Sequence, residues 1–439
     1  MAQLQPYEQY RPIDYDYVKQ LPIGWRLLPN IAIFQERIER GHSNEELLSV
    51  TIGKGVIKQS DLDKKDSSTL DKSKYLLVYP DDLVYSMRFR QGASGHSNYK
   101  GIVSPACTVL KPRKGVKLNS RYYHYMIRTG FYKNYAERYA YGIADGQMPL
   151  RYADFKRMYS IVPPLDTQNR IVEYLDKKNN EIDRFIRNKE RLIALLGEEK
   201  KKKLFDAVTK GIDVKVSFKL SKIKWLPEIP VKWDEKKLKF TVKKISGGIT
   251  PSMDNISFWN GDIPWVTSKD MKSEIISDSE MKITKKALQQ TAIKMIPTDS
   301  ILLVVRSGIL QHSLPACLNS VSITINQDLK AIVVNKDIYL PHYFRMLLKG
   351  IELNILQECR KAVATVESIE MSDFTNFLLP IPPIDEQNEI IGYINRTYEI
   401  INSAISKAQQ EIASIKEYRE ALITDLVTGK RCLPPSIPE

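Results

Sequence analysis

Cysteine is scarce in this 439-residue chain. The four present, Cys107, Cys317, Cys359 and Cys432, lie far apart with no CxxC spacing, so neither a zinc site nor a disulfide framework is expected, and a reducing cytoplasm fits. Histidine is nearly as rare, with five residues in all. Catalytic signatures are missing: there is no GxxxxGK[ST] phosphate loop, no Asn-Pro-Pro-aromatic tetrad of an amino-methyltransferase and no HExxH. Asp166 followed by Asp176-Lys177-Lys178 has the outline of a nuclease Asp…(D/E)xK pattern. It falls on the opening of a long helix rather than in a sheet, so no catalytic residue, metal or cofactor is assigned. No run approaches the roughly 18 apolar residues that a membrane span needs. The first residues, MAQLQPYEQYRP, lack the basic-then-apolar order of a signal peptide, and a soluble cytoplasmic protein is expected.

What the chain does have is positive charge and repetition. Sixty-six Lys+Arg against 52 Asp+Glu leave a net charge of +14, a balance that favours a polyanionic partner such as nucleic acid. At this length two to four domains are expected, and a hydrophobic content of 43% is ample for their cores.

The repetition is explicit. PPLDTQN at 163–169 returns as PPIDEQN at 382–388, and the same register pairs Asp154-Phe155 with Asp373-Phe374, Gln168 with Gln387, Tyr174 with Tyr393, Ile186 with Ile405, and Val208-Thr209 with Val427-Thr428. A weaker echo lies upstream, where LPIGW at 21–25 resembles IPVKW at 229–233. The chain is two copies of one plan, a variable domain followed by a shared tail.

Each tail reads as one long helix that starts after a Pro-Pro pair. In the second copy Ile394, Ile401, Ile405, Ala408, Ile412, Ile415, Leu422 and Leu426 follow alternating steps of three and four, interrupted only by Arg419. That spacing is a heptad seam. The first copy is less regular, with Ile171, Leu175, Ile182, Phe185, Ile186, Leu192, Leu196, Leu204 and Val208 on its apolar side and Gly197 as a weak point. A helix from Thr167 to Thr209 would be roughly 64 Å long. Its narrow seam must be covered, and the other copy is the natural partner. The compact segment between the helices cannot separate its ends by a whole helix length, so an antiparallel pair is expected. The fold class is therefore α+β: two α/β domains, at 1–162 and 214–381, and two long helices, at 163–213 and 382–439, forming an antiparallel coiled coil related by a pseudo-twofold axis.

The variable domains carry strand-like runs broken by Gly and Pro turns. In the first, Arg88, Arg90, Gln91, Ser94, His96, Asn98, Tyr99 and Lys100 fall within thirteen residues. They supply phosphate clamps, hydroxyls and amides able to read adenine edges. In the second, Lys269, Arg306, Ser307, Gln311 and His312 sit where predicted strands end in loops, whereas Trp259 and Trp265 read as core. Lys200 to Lys203 form a charge run that reads as a solvated helix face.

The two PPxDxQN-headed helices, the LPxxW-type starts, GIVSPACTVLKP in the first variable domain, and GGITPS, FWNGDIPWV and NQDLKAI in the second resemble the specificity subunit of a Type I restriction-modification system. The resemblance covers essentially the whole chain. It implies that each variable domain is a target recognition domain reading one half of a split, asymmetric sequence in double-stranded DNA. It further implies that the helices set the gap and dock two methyltransferase subunits, joined in the full complex by restriction subunits. Tyr174, Tyr393 and Tyr418, outside the apolar seams, are then candidate methyltransferase contacts. A recognition subunit of a fused restriction-methylation system that cuts on both sides of its site would look nearly the same. One departure from strict repetition is that VTKG at 208–211 becomes VTGK at 427–430, so the two helix exits are expected to differ.

Overall fold

The computed structural model describes residues 4–62, 71–139, 150–361 and 366–434. The chain divides into two compact units: Met1–Glu190 with Gln409–Glu439, and Arg191–Ala408. Each takes one variable segment and part of both long helices.

Unit 1 opens with an antiparallel hairpin, β1 (Tyr10–Tyr15) and β2 (Val18–Pro22), followed by β3 (Arg26–Pro29), the short α1 (Asn30–Ile33) and β4 (Phe34–Glu36). A second hairpin, β5 (Leu48–Thr51) with β6 (Gly55–Lys58), precedes β7 (Leu76–Val78), β8 (Leu83–Tyr85), β9 (Ser94–His96), β10 (Gly101–Val103) and β11 (Thr108–Pro112). Helices α2 (Ser120–Arg128), α3 (Gly130–Ala136) and α4 (Tyr152–Phe155) lead to β12 (Tyr159–Val162), which pairs with β3, and then to the long α5 (Leu165–Lys210). The central sheet runs β4-β11-β8-β9, all antiparallel. β7 and β8 are apolar at every position and buried at every position, as strands covered on both faces require.

Unit 2 repeats this plan. A hairpin of β13 (Phe218–Leu220) and β14 (Glu228–Pro230) is followed by β15 (Asp234–Lys237), β16 (Val242–Gly247), β17 (Trp259–Val266), β18 (Ile275–Ile276) and β19 (Met281–Ile283). After α6 (Lys285–Gln290) come β20 (Ile301–Val304), β21 (Ala316–Asn319), β22 (Thr324–Ile325) and β23 (Leu329–Val334). Helices α7 (Pro341–Gly350) and α8 (Glu352–Cys359), a small ribbon of β24 (Arg360–Lys361) and β25 (Ser368–Ile369), α9 (Met371–Asn376) and β26 (Leu378–Ile381) lead into α10 (Ile384–Val427). The sheet order β16-β23-β20-β21 matches β4-β11-β8-β9, with β18 added at one edge, and β15 pairs with β26 as β3 does with β12. Asp81 and Asp299, each two residues before the corresponding strand, share the left-handed backbone (φ 69° and 60°). The duplication thus extends through the variable segments, where the sequences scarcely show it.

The repeated heptapeptide has a structural job in each unit. Its proline pair ends the preceding strand, and its glutamine is buried in both copies. Gln168 Nε2 donates to the Pro163 carbonyl (2.9 Å), and its Oε1 accepts from the Asn119 amide (3.0 Å), at the start of α2. Gln387 Nε2 donates to the Pro382 and Ile338 carbonyls (2.9 and 2.7 Å), and its Oε1 accepts from the Leu340 amide (2.9 Å), at the start of α7. A helix start has orphan amides to satisfy, and one amide side chain fixes two helix starts to each other. The far ends of the long helices are also held alike. Tyr122 of α2 donates to the Val427 carbonyl at 2.8 Å, and Tyr343 of α7 to the Val208 carbonyl at 3.4 Å. Both exits end on a left-handed glycine, Gly211 and Gly429 (φ 76° and 72°), the conformation a helix C-terminus favours. Because α5 stops at Lys210 and α10 at Val427, Gly211 follows its helix directly and Gly429 two residues later. A Cβ on Gly429 would lie 3.0 Å from Trp25, and one on Gly211 3.4 Å from Trp233, so the tryptophans of the two LPxxW-type phrases are the platforms on which the helices end.

Along α10 every seam residue from Ile394 to Leu426 is buried or half-buried. The first helix departs from expectation: Phe185 and Leu192 are exposed, and Lys189, Ile193 and Lys200 occupy half-buried positions instead. The lysine stems lie along the helix surface while their ammonium groups reach polar partners. In unit 1 Lys189 pairs with Glu411 at 2.5 Å and Asp183 pairs with Arg419. In unit 2 Lys200 donates to Asn402 (3.0 Å) and its ammonium lies 4.2 Å from the Tyr398 ring. The lysine run is therefore only partly a solvated face. Among the described residues no helix is long and apolar enough to cross a membrane.

Candidate nucleic-acid interface

In unit 1 the chain leaves β8 through Ser86 and Met87 and makes a 3-10 turn, Phe89–Gln91, before β9. Phe89 is buried under the turn, Arg88, Arg90 and Gln91 are exposed, and Gly92 (φ 94°) closes it in a left-handed conformation. Arg90 Nε is 2.6 Å from Glu137. Asn98, Tyr99 and Lys100 belong to a different turn, at the other end of β9, where Ser97 Oγ donates to the Tyr99 carbonyl (2.9 Å). The thirteen-residue stretch is thus two turns separated by a strand. Lys100 is paired with Glu45. Tyr99 is half-buried, with the Lys58 ammonium 5.7 Å from its ring.

Two residues from that stretch face inward. Ser94 is fully buried in β9, which leaves its hydroxyl no access to a base. His96 is half-buried, and burial followed by the nearby Arg121 guanidinium holds its pKa below the usual histidine value. Its backbone amide donates to His124 Nδ1 (3.2 Å). His124, on α2, is itself pushed down to about 3, by burial first and then by Arg128.

The unit 1 loops are braced by a residue that sequence reasoning missed. Arg128 donates through Nη1 to the carbonyls of Gly92 (3.0 Å) and Ser94 (2.5 Å), and through Nη2 to those of Ile52 (2.8 Å) and Gly53 (2.9 Å). No local signal in the sequence could have found it, because its partners lie 34 to 76 positions away. Asp176, of the nuclease-like pattern, accepts from Arg121 (2.7 Å) and the Tyr125 hydroxyl (2.6 Å) and is occupied in tying α2 to α5.

In unit 2 the equivalent strand, β20, runs out through Arg306 and Ser307 into a 3-10 turn, Gly308–Gln311. Leu310 is the buried anchor, and Arg306, Gln311 and His312 are exposed. Ser307 Oγ accepts from the Ile309 amide (3.4 Å), and Arg360 Nη1 reaches the Leu310 and Gln311 carbonyls (3.4 and 3.3 Å). The phrases GGITPS, FWNGDIPWV and NQD converge beside it. Trp259 and Trp265 donate to the Ser252 and Ile249 carbonyls (3.0 and 3.1 Å), and the Asn326 amide donates to the Val266 carbonyl (3.0 Å). A Cβ on Gly248 would come within 2.1 Å of the Ile325 and Asn326 carbonyl oxygens, which explains the glycine. Trp265 is buried and Trp259 half-buried against it. The turn after β17 presents an exposed Lys269, and Asp328 of the NQD turn lies 3.8 Å from Arg306. Lys269 and Arg306 are thus exposed cations on two separate turns of unit 2.

The tyrosines on the long helices differ. Tyr174 is buried in the unit 1 core, so its side chain has no free face. Tyr393 is half-buried against the unit 2 core, and Tyr418 is exposed.

Residues 230–417 match the family model of the Type I restriction modification DNA specificity domain. The chain is 34% identical over 202 residues to the specificity subunit of the Type I restriction enzyme EcoR124I/EcoR124II of Escherichia coli, covering 46% of this chain and 47% of that protein. It is 29% identical over 188 residues to the Type I restriction enzyme MjaIX specificity subunit of Methanocaldococcus jannaschii, covering 42% of each. The chain thus spans about half the length of these curated relatives. A solved chain from a study of complex assembly and conformational transition of the type I R-M system superposes with a TM-score of 0.72 at 15% identity, covering 93% of this chain and 99% of that one. At that identity the likeness speaks for the fold.

Proposed function

We propose that this chain, which belongs to the family of Type I restriction-modification specificity subunits, is a DNA-recognition subunit in which each unit reads one half of a split, asymmetric duplex target. The chain itself carries no chemistry. Methyl transfer and cleavage belong to other subunits, two methyltransferase subunits docking on the helical region and restriction subunits joining them. The observation that carries this reading is one scaffold built twice with unlike loops: the exit of β8 presents Arg88, Arg90 and Gln91, and the exit of β20 presents Arg306, Gln311 and His312. Guanidinium and amide groups at strand exits are the chemistry that reads base edges, and lysines such as Lys269 the chemistry that meets phosphates. Different loops imply different half-sequences.

The two long helices are read as an antiparallel coiled coil that fixes the gap between the halves. Support comes from each unit: rising numbers on α5 meet falling numbers on α10, as in Asp183 with Arg419 and Lys189 with Glu411, or Lys200 with Asn402. Tyr418 and the open side of Tyr393 are the proposed methyltransferase contacts. The relatives, each a Type I specificity subunit, lend no support to the fused-system alternative.

Selection of duplexes from a random library by the full chain with its co-purified subunits tests the reading. Wild type should return two fixed half-sequences at a constant gap. Arg88→Ala and Arg306→Ala should each cost about 1 to 3 kcal/mol of binding and relax only one, different, half. A uniform loss over all sequences would reduce these arginines to phosphate contacts, and the absence of any split sequence would sink the assignment.

A further inference from the structure

The first unit has a second exposed turn beside the Arg88 loop, and nothing in the duplicated plan accounts for it. Residues 52–54 join β5 to β6. The turn is stiff: Thr51 Oγ1 donates to the Gly55 carbonyl (3.0 Å) and accepts from the Lys54 amide (3.1 Å). It sits flush on β9, where a Cβ on Gly95 would come within 3.0 Å of Gly55 Cα and of His124. Arg128 spends one guanidinium nitrogen on this turn and the other on the Gly92 and Ser94 carbonyls. One planar guanidinium thus serves four backbone carbonyls, two on each turn, so the two turns hold one fixed relative geometry.

What the turn offers is unusual for an unoccupied surface. Ile52 is 49% exposed at its tip and Met87 is 39% exposed on the neighbouring loop. Lys54 stands two residues on from Ile52, Lys133 lies beside Gly92, and Arg88 follows Met87 on the loop; none of the three forms an ion pair among the described residues. Together the turn and the loop border a recess of about 420 Å³ in unit 1. Lys133 lines that recess together with Asp183, Arg419 and Glu420, while Ile52 on its rigid tip is followed by Lys54; an aliphatic side chain with a cation beside it is complementary to an apolar group inside a polyanion. In duplex DNA that group is the C5-methyl of thymine in the major groove, flanked by phosphates.

We propose that the 52–54 turn is a second base-reading element of unit 1. Ile52 packs on a thymine methyl, Lys54 meets the adjacent phosphate, and Arg128 is the positioning residue that locks this turn to the Arg88 loop. The proposal rests on the DNA-recognition reading and adds to it a specific chemical contact.

Thymine-to-uracil replacement removes that methyl and nothing else. With the full chain and its co-purified subunits, each thymine in the half-sequence that Arg88→Ala relaxes is replaced in turn. Wild type should lose about fourfold in affinity at one position, the worth of one buried methyl. Ile52→Ala, at an exposed site that leaves folding intact, should bind the thymine and uracil duplexes equally. Arg128→Lys keeps a cation but cannot serve four carbonyls, so it should lose discrimination at both the thymine and the Arg88-dependent positions, with the other half unchanged. A purely structural Arg128 would lower thermal stability and overall affinity without changing the order of preferred bases. A flat uracil scan in wild type, a half-sequence without thymine, or equal uracil sensitivity in Ile52→Ala overturns the proposal while the split-target reading stands. Loss of a co-purified subunit from Ile52→Ala together with a flat scan would make the turn a protein contact and also overturn it. Failure of wild type to select any split sequence would instead bring down the functional reading itself.

Discussion

Units 1 and 2 build the same sheet and brace the exit of the same strand with one arginine, yet the two arginines come from unrelated places. Arg128 closes α2 and takes four carbonyls. Arg360 lies on the β24–β25 ribbon, takes two at longer range, and stands 3.8 Å from Glu367. The contacts that dock the long helices are repeated almost atom for atom: Gln168 and Gln387, Tyr122 and Tyr343, Gly429 on Trp25 and Gly211 on Trp233. What is repeated is the frame, and what differs is the presented surface and the means of stiffening it. A protein that must hold two unlike reading loops on one frame would divide its sequence in this way.

The largest expected asymmetry lies in the repeated glutamines. Gln387, itself buried, satisfies three backbone groups and the equally buried Gln168 two; the Pro163 and Pro382 groups are buried and those of Asn119, Ile338 and Leu340 half-buried. Each buried group left without a partner costs about 1 to 3 kcal/mol. Gln387→Ala should therefore destabilise unit 2 by about 3 to 5 kcal/mol, and Gln168→Ala should destabilise unit 1 by about 2 to 3 kcal/mol. Denaturant titrations with a probe in each unit measure both. Equal losses would mean that the extra bond to Ile338 contributes nothing.

Acid should separate the units next. His124 matches Arg345 in the α2 and α7 alignment that pairs Tyr122 with Tyr343. Its folded pKa, about 3, lies far below that of an unfolded histidine, with Arg128, His96 and Arg121 opposing its charge after burial. The unfolded chain then takes up the proton first. Stability is complete above about pH 6.5 and is lost as pH falls from there toward 3, at about 1.4 kcal/mol per pH unit. By pH 5 unit 1 should have lost about 2 kcal/mol from this group. Unit 2 holds Arg345 at that place, 2.6 Å from Glu274, and has no histidine there to protonate. His124→Gln should flatten the unit 1 profile between pH 6.5 and 5. An unchanged slope would assign the acid sensitivity elsewhere.

Much of the frame is legible in the sequence because it is encoded locally. Three-and-four spacing reveals α10, the proline pairs mark both helix starts, and the LPxxW-type phrases point at Trp25 and Trp233. The long seam of α5 reads less well because Lys189 and Lys200 stand at inward positions, where their stems pack and their charges find Glu411 and Asn402, while Phe185 and Leu192 face out. Periodicity weighs residue type, whereas burial depends on how much of a side chain reaches over the edge. The candidate interface is only half legible. Arg88, Arg90 and Arg306 are visible as cations at strand ends. That Ser94 points inward, that Asn98 and Lys100 belong to another turn, and that Arg128 joins two loops all depend on strand pairing, which no local spacing records. Nor does the sequence reveal the matched sheet order, since the paired strands share only their apolar character.

The smallest difference is also the most direct test of whether the two helix ends are equivalent. Each long helix finishes with a carbonyl that has no further turn to accept from, and each unit supplies a buried tyrosine hydroxyl to it. Tyr122 approaches Val427 at 2.8 Å, well inside the range of a strong bond, whereas Tyr343 reaches Val208 at 3.4 Å, near its limit. Both rings are fully buried, so Phe replacement removes the oxygen and leaves the packing. Tyr122→Phe should cost about 1 to 1.5 kcal/mol, a typical net hydrogen bond with a carbonyl left dry, and Tyr343→Phe about 0.5 kcal/mol or less. Urea midpoints at constant slope measure the pair. If Tyr343→Phe costs as much as Tyr122→Phe, the longer distance hides a bond of equal strength and the two exits are energetically the same despite the one-residue shift of their glycines. If neither costs anything, the helix ends are held by Gly211 and Gly429 on their tryptophans alone, and the tyrosines serve only as packing.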